Sequence, residues 1–279
     1  MKITRQSQLK SINFISFQQK NKFSDTINAT QKSEIREEVM KDAIIITGAG
    51  RRVGYVLAQH FAKKGENVVI SYRHTYHQLT QLPKSVLQLQ ADFSELNNIE
   101  RFVSQIKTHC ESVKAVIHNA SAWQAEQNAD ILKDSRLFQA LMRIHAELPY
   151  LLNRQLFPLL HVSAQQRQAT SDIIHITDFV AYKGSQKHLA YAASKAALEN
   201  LTLSFAAQYA PLVKVNSIAP SLIMFNENDS AEYQQKALQK SVMQKIGGYE
   251  EMIKAVEYLF SSQYITGETI KITGGRHLK

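Results

Sequence analysis

The chain has 279 residues, 44% of them hydrophobic, which is enough for one large α/β domain or two small ones and excludes a fibrous or wholly disordered protein. Its 33 lysine and arginine residues exceed 24 aspartate and glutamate residues, and the resulting net charge of +9 suits a small anionic ligand. The single cysteine, Cys110, excludes an intrachain disulfide framework and favours a reducing, cytoplasmic location.

Two classes of partner are not expected from the sequence. No basic run is interleaved with aromatic residues, as a nucleic-acid-binding stripe would be. The longest apolar runs fall far short of the roughly 20 residues needed to cross a bilayer, so a membrane partner is not expected either. No histidine or cysteine spacing is typical of a metal site.

Residues 1–39 differ in composition from the rest, being rich in Gln, Asn, Ser and Lys and lacking Gly and Pro. Their apolar cluster near Phe14 is too short and too polar-flanked for a secretory signal, and a transit peptide is the less favoured alternative. Because a strand-like run begins at Ala43, we expect residues 1–39 to be an extension without structure and Met40 to be the effective start.

Residues 40–279 are predicted to form one α/β domain, a doubly wound, seven-stranded parallel sheet with helices on both faces. Short β-branched runs alternate there with helical stretches, without an internal repeat or a linker. Gly65 follows the first helix as a C-terminal cap should. The predicted strands are 43–47, 67–72, 86–90, 113–118, 172–177, 214–218 and 269–272, and the predicted helices are 52–64, 96–109, 132–160, 191–209, 231–243 and 249–260.

The first strand is followed by a glycine-rich turn from Thr47 to Gly54, with Gly48, Gly50 and Gly54 as its small residues. Small residues let the backbone approach a pyrophosphate, and the helix N-terminus that follows offers unpaired N–H donors. Many such turns bind nothing, but a preceding apolar strand and a following amphipathic helix are the context that the motif requires. The turn therefore predicts a dinucleotide site.

The residues at the end of the second strand indicate which dinucleotide the site would bind. An NAD-specific site places Asp or Glu about 20 residues after the turn, to hold the ribose 2′-hydroxyl. This chain instead has Arg73, with Arg51 in the turn, and guanidinium groups pair with a 2′-phosphate that a carboxylate would repel. We therefore expect NADPH, although Arg73 could also be a solvated residue at a strand end.

A second group of residues carries the candidate chemistry. Tyr191 and Lys195 are four residues apart on one helix face, a pair that is common by chance. Asp178 and Asn119, however, each follow a predicted strand, and ligands of open α/β sheets bind outside the carboxyl ends of the strands. The ammonium of Lys195 is expected to pull the phenol pKa of Tyr191, about 10 in isolation, towards neutrality.

From Met40 onward, about 240 residues of the chain resemble the short-chain dehydrogenase/reductase family, in particular its pteridine reductase branch. The shared family marks are the Gly48 turn, Asp92, Asn119 and the pair Tyr191 and Lys195. Three further residues point to the branch, namely Arg52 in place of glycine, Asp178 in place of serine, and Trp123. The resemblance implies a Rossmann-type fold and a homotetramer formed through helices 132–160 and 191–209.

The resemblance also implies roles for individual residues. Lys195 would bind the nicotinamide ribose, Asp92 and Asn119 would contact the cofactor site, and Tyr191 would donate a proton. Reduction of a C=N bond needs a proton at nitrogen, which a carboxyl group beside the phenol can supply or relay, whereas a ketone needs only an oxyanion stabiliser. On the substrate side, Arg52 would touch a phosphate and the pterin edge, Ser121 would add a hydrogen bond, and the Trp123 ring would stack on the pterin.

The implied activity is NADPH-dependent reduction of 7,8-dihydromonapterin to the tetrahydro form, with weaker dihydrofolate reduction. Two alternatives stay open, a carbonyl reductase of 3-oxoacyl or sugar ketones and a non-catalytic dinucleotide-binding regulator. The chain departs from the family at His145, where an asparagine is common, and this histidine could act in a proton path or simply pack. Residues 221–230 are polar and expected to form a substrate loop.

Overall fold

The structure, a computed structural model, describes residues 39–126 and 130–279. The predicted extension, residues 1–39, therefore lies outside the described residues except at its last position. Met40 already belongs to the fold, since its N–H donates to the His109 carbonyl over 2.8 Å and its carbonyl accepts from Glu111 N–H over 2.8 Å.

Seven strands of the described residues form one parallel sheet in the order β3-β2-β1-β4-β5-β6-β7, which confirms the predicted fold class. The central strands are buried on both faces because helices cover each side. The strands are β1 Ala43–Ile46, β2 Val68–Tyr72, β3 Leu87–Gln90, β4 Val113–His118, β5 Ser171–Ile176, β6 Val213–Pro220 and β7 Thr269–Ile272.

Helices lie on both faces and bury two separate cores. One core packs α2, α4 and α6 against the sheet through residues such as Phe102, Leu156 and Phe205. The other packs α1 and α8 through Leu57 and Val256. The helices are α1 Arg52–Lys63, α2 Leu96–His109, α3 Ile131–Met142, α4 Leu148–Arg167, α5 Val180–Lys183, α6 Leu189–Tyr209, α7 Ala231–Leu238 and α8 Tyr249–Ser261.

Gly65 caps α1 as predicted. It has a φ of +82°, in the left-handed region that favours glycine, and its N–H donates to the Ala62 carbonyl over 3.1 Å.

The prediction of one regular helix over 132–160 is wrong in detail. A π-helical turn, Arg143–Glu147, joins α3 to α4, and the Leu148 N–H donates to the Arg143 carbonyl five residues back. Pro149 follows, and its missing N–H removes a helical bond from the next turn. The helix then continues beyond the predicted end to Arg167, where Gln168 adopts a left-handed conformation with a φ of 51°.

The helix predicted over 231–243 is also too long, because α7 ends at Leu238. Beyond it the chain turns, and the Met243 N–H donates to the Gly274 carbonyl over 3.0 Å instead of to a helical carbonyl. None of the helices in the described part of the chain is both long and apolar enough to cross a membrane.

Candidate active site

The predicted glycine turn between β1 and α1 is closely packed. A Cβ atom on Gly48 would lie 2.6 Å from Ala120 Cα, and one on Gly54 would lie 2.5 Å from the Asn119 amide nitrogen. Gly48 has a φ of +65°. The Asn119 side chain donates to the carbonyls of Gly48 over 2.9 Å and Thr47 over 3.1 Å, so it fixes the turn against the end of β4.

The α1 N-terminus is suited to an anion, since no side chain caps it and its first turn contains no acidic residue. Arg52 stands there with a φ of 55°, a left-handed conformation that is costly for a residue with a side chain. Its guanidinium donates to Asn226 Oδ1 over 2.8 Å and to the Met224 carbonyl over 3.3 Å. Arg52 therefore connects the glycine turn to the expected substrate loop, 221–230.

The remaining predicted cofactor residues lie on the same side of the sheet. Arg73 is exposed just beyond β2 and donates through Nε to His74 Nε2 over 2.9 Å. The Arg51 guanidinium carbon lies 5.5 Å from the centre of the Tyr76 ring. Asp92 follows β3, and its carboxylate accepts from the Ser94 N–H over 3.0 Å. All three residues are exposed and follow the carboxyl ends of β1, β2 and β3, the edge at which ligands of open α/β sheets bind.

Tyr191, Asp178 and Lys195 come together at the ends of β5 and α6. The Tyr191 hydroxyl donates to Asp178 Oδ2 over 3.0 Å. The Lys195 ammonium, 5.8 Å from the centre of the Tyr191 ring, donates to the Ile176 carbonyl over 2.9 Å. Tyr191 and Lys195 are buried, so the phenol donates to the Asp178 carboxylate in a site that is largely shielded from solvent.

The expected lowering of the Tyr191 pKa is wrong in this structure. Burial and the neighbouring Asp178 carboxylate raise the pKa of Tyr191 well above 10. Burial also raises the pKa of Asp178 and lowers the pKa of Lys195 to about 8. The reason is geometric, because the Lys195 ammonium lies over the Tyr191 ring and donates to a backbone carbonyl, whereas the Asp178 carboxylate accepts the hydrogen of the phenol hydroxyl.

The loop after β4 supplies the predicted substrate residues. The Ser121 hydroxyl lies 2.8 Å from His145 Nε2. Trp123 is 67% exposed, and its ring centre lies 4.6 Å from that of His188. Glu126, which the sequence did not single out, accepts from the Ala190 N–H over 2.7 Å and so binds the loop to the N-terminus of α6.

Sequence reasoning gave no role to His145, although it lies within this group. The residue is 1% exposed in the π-helical turn, and its ring meets the Tyr191 ring edge-on at 5.3 Å. A departure from the family pattern at this position was the only sequence signal. Among residues 39–126 and 130–279, no three acidic, histidine or cysteine side chains are grouped as a metal site would require.

Comparisons with known proteins match most of the chain. The family described as enoyl-(acyl carrier protein) reductase matches residues 48–277. Proteins named dihydromonapterin reductase from Citrobacter koseri and Klebsiella pneumoniae are each 49% identical over 237 residues, 85% of this chain and 97% of theirs. The solved structure of FolM alternative dihydrofolate reductase 1 from Brucella canis, complexed with NADP, matches 87% of this chain and 96% of its own with a TM-score of 0.74. At 23% identity, that likeness concerns the fold.

Proposed function

The chain belongs to the short-chain dehydrogenase/reductase family, and we propose that it is an NADPH-dependent reductase of dihydropterins, converting 7,8-dihydromonapterin to the tetrahydro form and dihydrofolate more slowly. The observation that carries this proposal is the hydrogen bond from the Tyr191 hydroxyl to Asp178. A carboxyl group beside the phenol suits protonation of a ring nitrogen better than it suits stabilisation of a ketone oxyanion. The two relatives named dihydromonapterin reductase support the same substrate class.

The residues of the glycine turn fit a dinucleotide phosphate, because the two glycines leave space that any Cβ would fill and the uncapped start of α1 favours an anion. Arg73 favours NADPH over NADH, since no acidic residue stands at the end of β2. When bound, the reduced nicotinamide supplies a hydride to the carbon of the C=N bond. The residues proposed to hold the cofactor are Gly48, Arg51, Arg52, Gly54, Arg73, Asp92, Asn119 and Lys195.

The choice of cofactor is tested with Arg73→Asp. We expect the KM for NADPH to rise more than about tenfold, with little change for NADH, because the new carboxylate repels a 2′-phosphate and accepts from a 2′-hydroxyl. Steady-state kinetics with both cofactors measures this, and Arg101→Asp, which replaces an exposed arginine of α2, is the matched control. An equal rise for both cofactors would remove Arg73 from the proposed role.

The chain's own groups handle the proton. Tyr191 delivers its hydroxyl proton to the substrate nitrogen, and Asp178, whose carboxylate accepts the phenol hydrogen and whose pKa is raised by burial, takes up a proton from solvent more readily than an ordinary aspartate and passes it to the phenolate. Lys195, with its pKa lowered to about 8 but still mostly protonated at pH 7, stabilises the negative charge left on the pair. The three residues therefore act as one proton-donating unit.

Three other residues are proposed to contact the pterin. The Trp123 ring, 67% exposed at the edge of the site, offers a flat surface on which a flat heterocycle can stack. Arg52 lies between the cofactor turn and the loop at 221–230, where its guanidinium can touch both a phosphate and the polar pterin edge. Ser121 and the Tyr191 hydroxyl would add hydrogen bonds.

The proposal is tested by following NADPH oxidation with purified protein and a panel of substrates: dihydromonapterin, dihydrobiopterin, dihydrofolate, an acetoacetyl thioester and a sugar ketone. We expect turnover of the dihydropterins, fastest with dihydromonapterin. Tyr191→Phe should lose at least about 100-fold in kcat, in keeping with the usual contribution of a general acid. The matched control, Tyr264→Phe, changes a phenol that is 97% exposed and should have no effect.

Two outcomes would contradict the proposal. Turnover of the ketones with no turnover of any dihydropterin would make the protein a carbonyl reductase of the same family. Cofactor binding without any turnover, equal in the native protein and in Tyr191→Phe, would make it a non-catalytic dinucleotide-binding regulator.

We also propose a homotetramer formed through the segments predicted as helices 132–160 and 191–209, whose longest helices in the structure are α4 and α6. Both helices carry exposed apolar side chains, among them Tyr150 at 40%, Leu189 at 60% and Leu203 at 56%. Exposed groups of this kind mark interaction surfaces when they are contiguous. Light scattering coupled to gel filtration measures the mass, and Leu203→Glu should reduce it if α6 is in an interface.

A further inference from the structure

His145 is a buried histidine with a hydrogen bond at each ring nitrogen. Nε2 lies 2.8 Å from the Ser121 hydroxyl, and Nδ1 lies 2.8 Å from the Ser194 hydroxyl. The π-helical turn moves the imidazole out of the regular α-helical series and brings its ring against Tyr191, with an interplanar angle of 87°. Such turns are frequent at functional sites.

The hydrogen-bond directions follow from the Ser194 hydroxyl. This hydroxyl donates to the Tyr191 carbonyl over 2.8 Å, so it can only accept from His145, and Nδ1 therefore carries the hydrogen. Burial and the charge of Lys195 lower the pKa of His145 to about 2, which keeps the ring neutral. A neutral imidazole has one N–H, so Nε2 is an acceptor and Ser121 donates to it.

Ser121 also contacts the Tyr191 hydroxyl, and this contact favours the deprotonated phenol. A serine has one hydrogen, which it can give either to His145 or to Tyr191. While Tyr191 is neutral and donates to Asp178, its oxygen is the weaker acceptor and the Ser121 hydrogen stays on Nε2. Once Tyr191 has given up its proton, the phenolate oxygen becomes the stronger acceptor, because hydrogen bonds to ions are about twice as strong as neutral ones.

We propose that His145 is a positioning residue that holds the Ser121 hydroxyl beside Tyr191 and releases its hydrogen to the phenolate when the proton is delivered. This inference rests on the proposed function. No covalent bond other than that of the delivered proton changes, since Ser121 only turns its hydrogen from Nε2 to the phenolate oxygen. The titratable groups that face His145 are Tyr191 and Lys195 on α6, and Asp178, just beyond β5, accepts the hydrogen bond of Tyr191.

The kinetic test uses a double-mutant cycle of His145→Phe and Ser121→Ala. Phenylalanine keeps a ring against Tyr191 but removes both hydrogen bonds. We expect each single variant to lose about tenfold in kcat, with KM within about twofold, because one charge-assisted hydrogen bond is lost from the step. Since both act through one hydroxyl, the double variant should lose no more than either single variant.

Two further variants control the cycle. His145→Gln has an amide oxygen that can accept from Ser121, so it should recover most of the lost kcat. His161→Phe makes the same exchange at a partly buried histidine of α4 that contacts Phe157, and it should leave kcat unchanged. The alkaline limb of the kcat profile should move to higher pH in His145→Phe and return in His145→Gln, which a merely structural role would not produce.

A second measurement does not depend on turnover. Nitrogen-15 NMR of histidine-labelled protein measures the tautomer, and the His145 signals are assigned by their loss in His145→Gln. At every pH from 5.5 to 9 we expect Nδ1 to carry a hydrogen and Nε2 to be unprotonated and to accept a hydrogen bond. Ser121→Ala should shift the Nε2 signal alone. The opposite tautomer, a ring that protonates in this range, or losses in kcat that multiply in the double variant would overturn the inference. If no pterin is reduced, the proposed function fails while the NMR result still decides how Ser121 is held.

Discussion

Acid should destabilise this protein because several of its histidines are buried in neutral form. His118 Nε2 lies 2.7 Å from Asn153 Oδ1, the Asn153 amide nitrogen lies 3.1 Å from His175 Nε2, and His175 Nδ1 lies 2.8 Å from the Thr202 hydroxyl. Thr202 donates to the Leu198 carbonyl, so every hydrogen in this series has a fixed direction. Protonation of His175 at Nε2 would break the series, and protonation of His118 at Nδ1 would place an N–H where a buried nitrogen has no hydrogen-bond partner.

The sign of the effect follows from the pKa values. Burial lowers the pKa of His118 to about 4, that of His145 to about 2, and that of His175 well below 6.5. An unfolded histidine titrates near 6.5, so the unfolded chain binds more protons and the free energy of unfolding falls as the pH falls below that value. Each histidine should lower the free energy of unfolding by about 1.4 kcal/mol between pH 7.5 and pH 5.5, so the three together should lower it by about 4 kcal/mol.

Two carboxylates, Asp172 and Asp178, act in the opposite direction because burial raises the pKa of each, and Asp178 reduces the net loss further than Asp172 does alone. Burial raises the pKa of Asp172 to about 6 despite its ion pair with Lys214, whose ammonium lies 2.9 Å away. Asp172 therefore gains a proton in the folded state over the same pH range, which offsets about 1 kcal/mol of the loss caused by the histidines. The expected net loss is at most about 3 kcal/mol.

Urea unfolding followed by circular dichroism at pH 7.5 and 5.5, without cofactor, measures this loss. His118→Gln keeps an amide hydrogen bond to Asn153 but does not titrate, so its loss should be smaller by about 1.4 kcal/mol. His77→Gln, at an exposed position, should match the native protein. The reasoning would be refuted if the native protein lost less than about 1 kcal/mol of unfolding free energy between these pH values, or if His118→Gln lost as much as the native protein.

Three further predictions concern the glycine turn and the chain start. Gly54→Ala, whose Cβ would lie 2.5 Å from the Asn119 amide nitrogen, should lower the free energy of unfolding by about 1–3 kcal/mol in urea unfolding instead of raising it as a helical alanine normally does. Arg52→Gly should relieve about 1 kcal/mol of backbone strain yet speed amide exchange in residues 224–229, and unchanged exchange would contradict the link. Deletion of residues 1–39 should leave kcat and the melting temperature unchanged, and an inactive truncation would refute Met40 as the effective start.

The sequence was sufficient for the sheet because alternation of apolar runs with helical stretches has one common solution, a parallel sheet covered on both faces. It was also sufficient to bring Asn119, Asp178 and Tyr191 to one crevice, since the carboxyl ends of parallel strands share an edge. The π-helical turn at 143–147 could not be predicted, because one extra residue in a turn barely alters apolar periodicity over a helix of this length.

The pKa values of the site residues could not be predicted from the sequence, for a different reason. Spacing brings Tyr191 and Lys195 to one helix face, but it says nothing about which oxygen the ammonium binds or how much water remains. The pKa of Lys195 falls to about 8 through burial and is held up by the carboxylates of Asp178, just beyond β5, and of Glu199, one turn further along α6. The pair of Tyr191 and Lys195, which the spacing predicts, is therefore only one part of a larger group of interacting charges.

That balance explains why the phenol stays neutral. A buried ammonium and a buried carboxylate compensate each other, so an additional charge on Tyr191 would leave the site with an uncompensated anion. Asp178 consequently accepts the phenol hydrogen, and the proton is shared by two groups whose pKa values both lie above their ordinary range. A proton held in this way is retained until a stronger base arrives, and in the proposed reaction that base is the ring nitrogen of the dihydropterin, which gains electron density as its neighbouring carbon accepts a hydride.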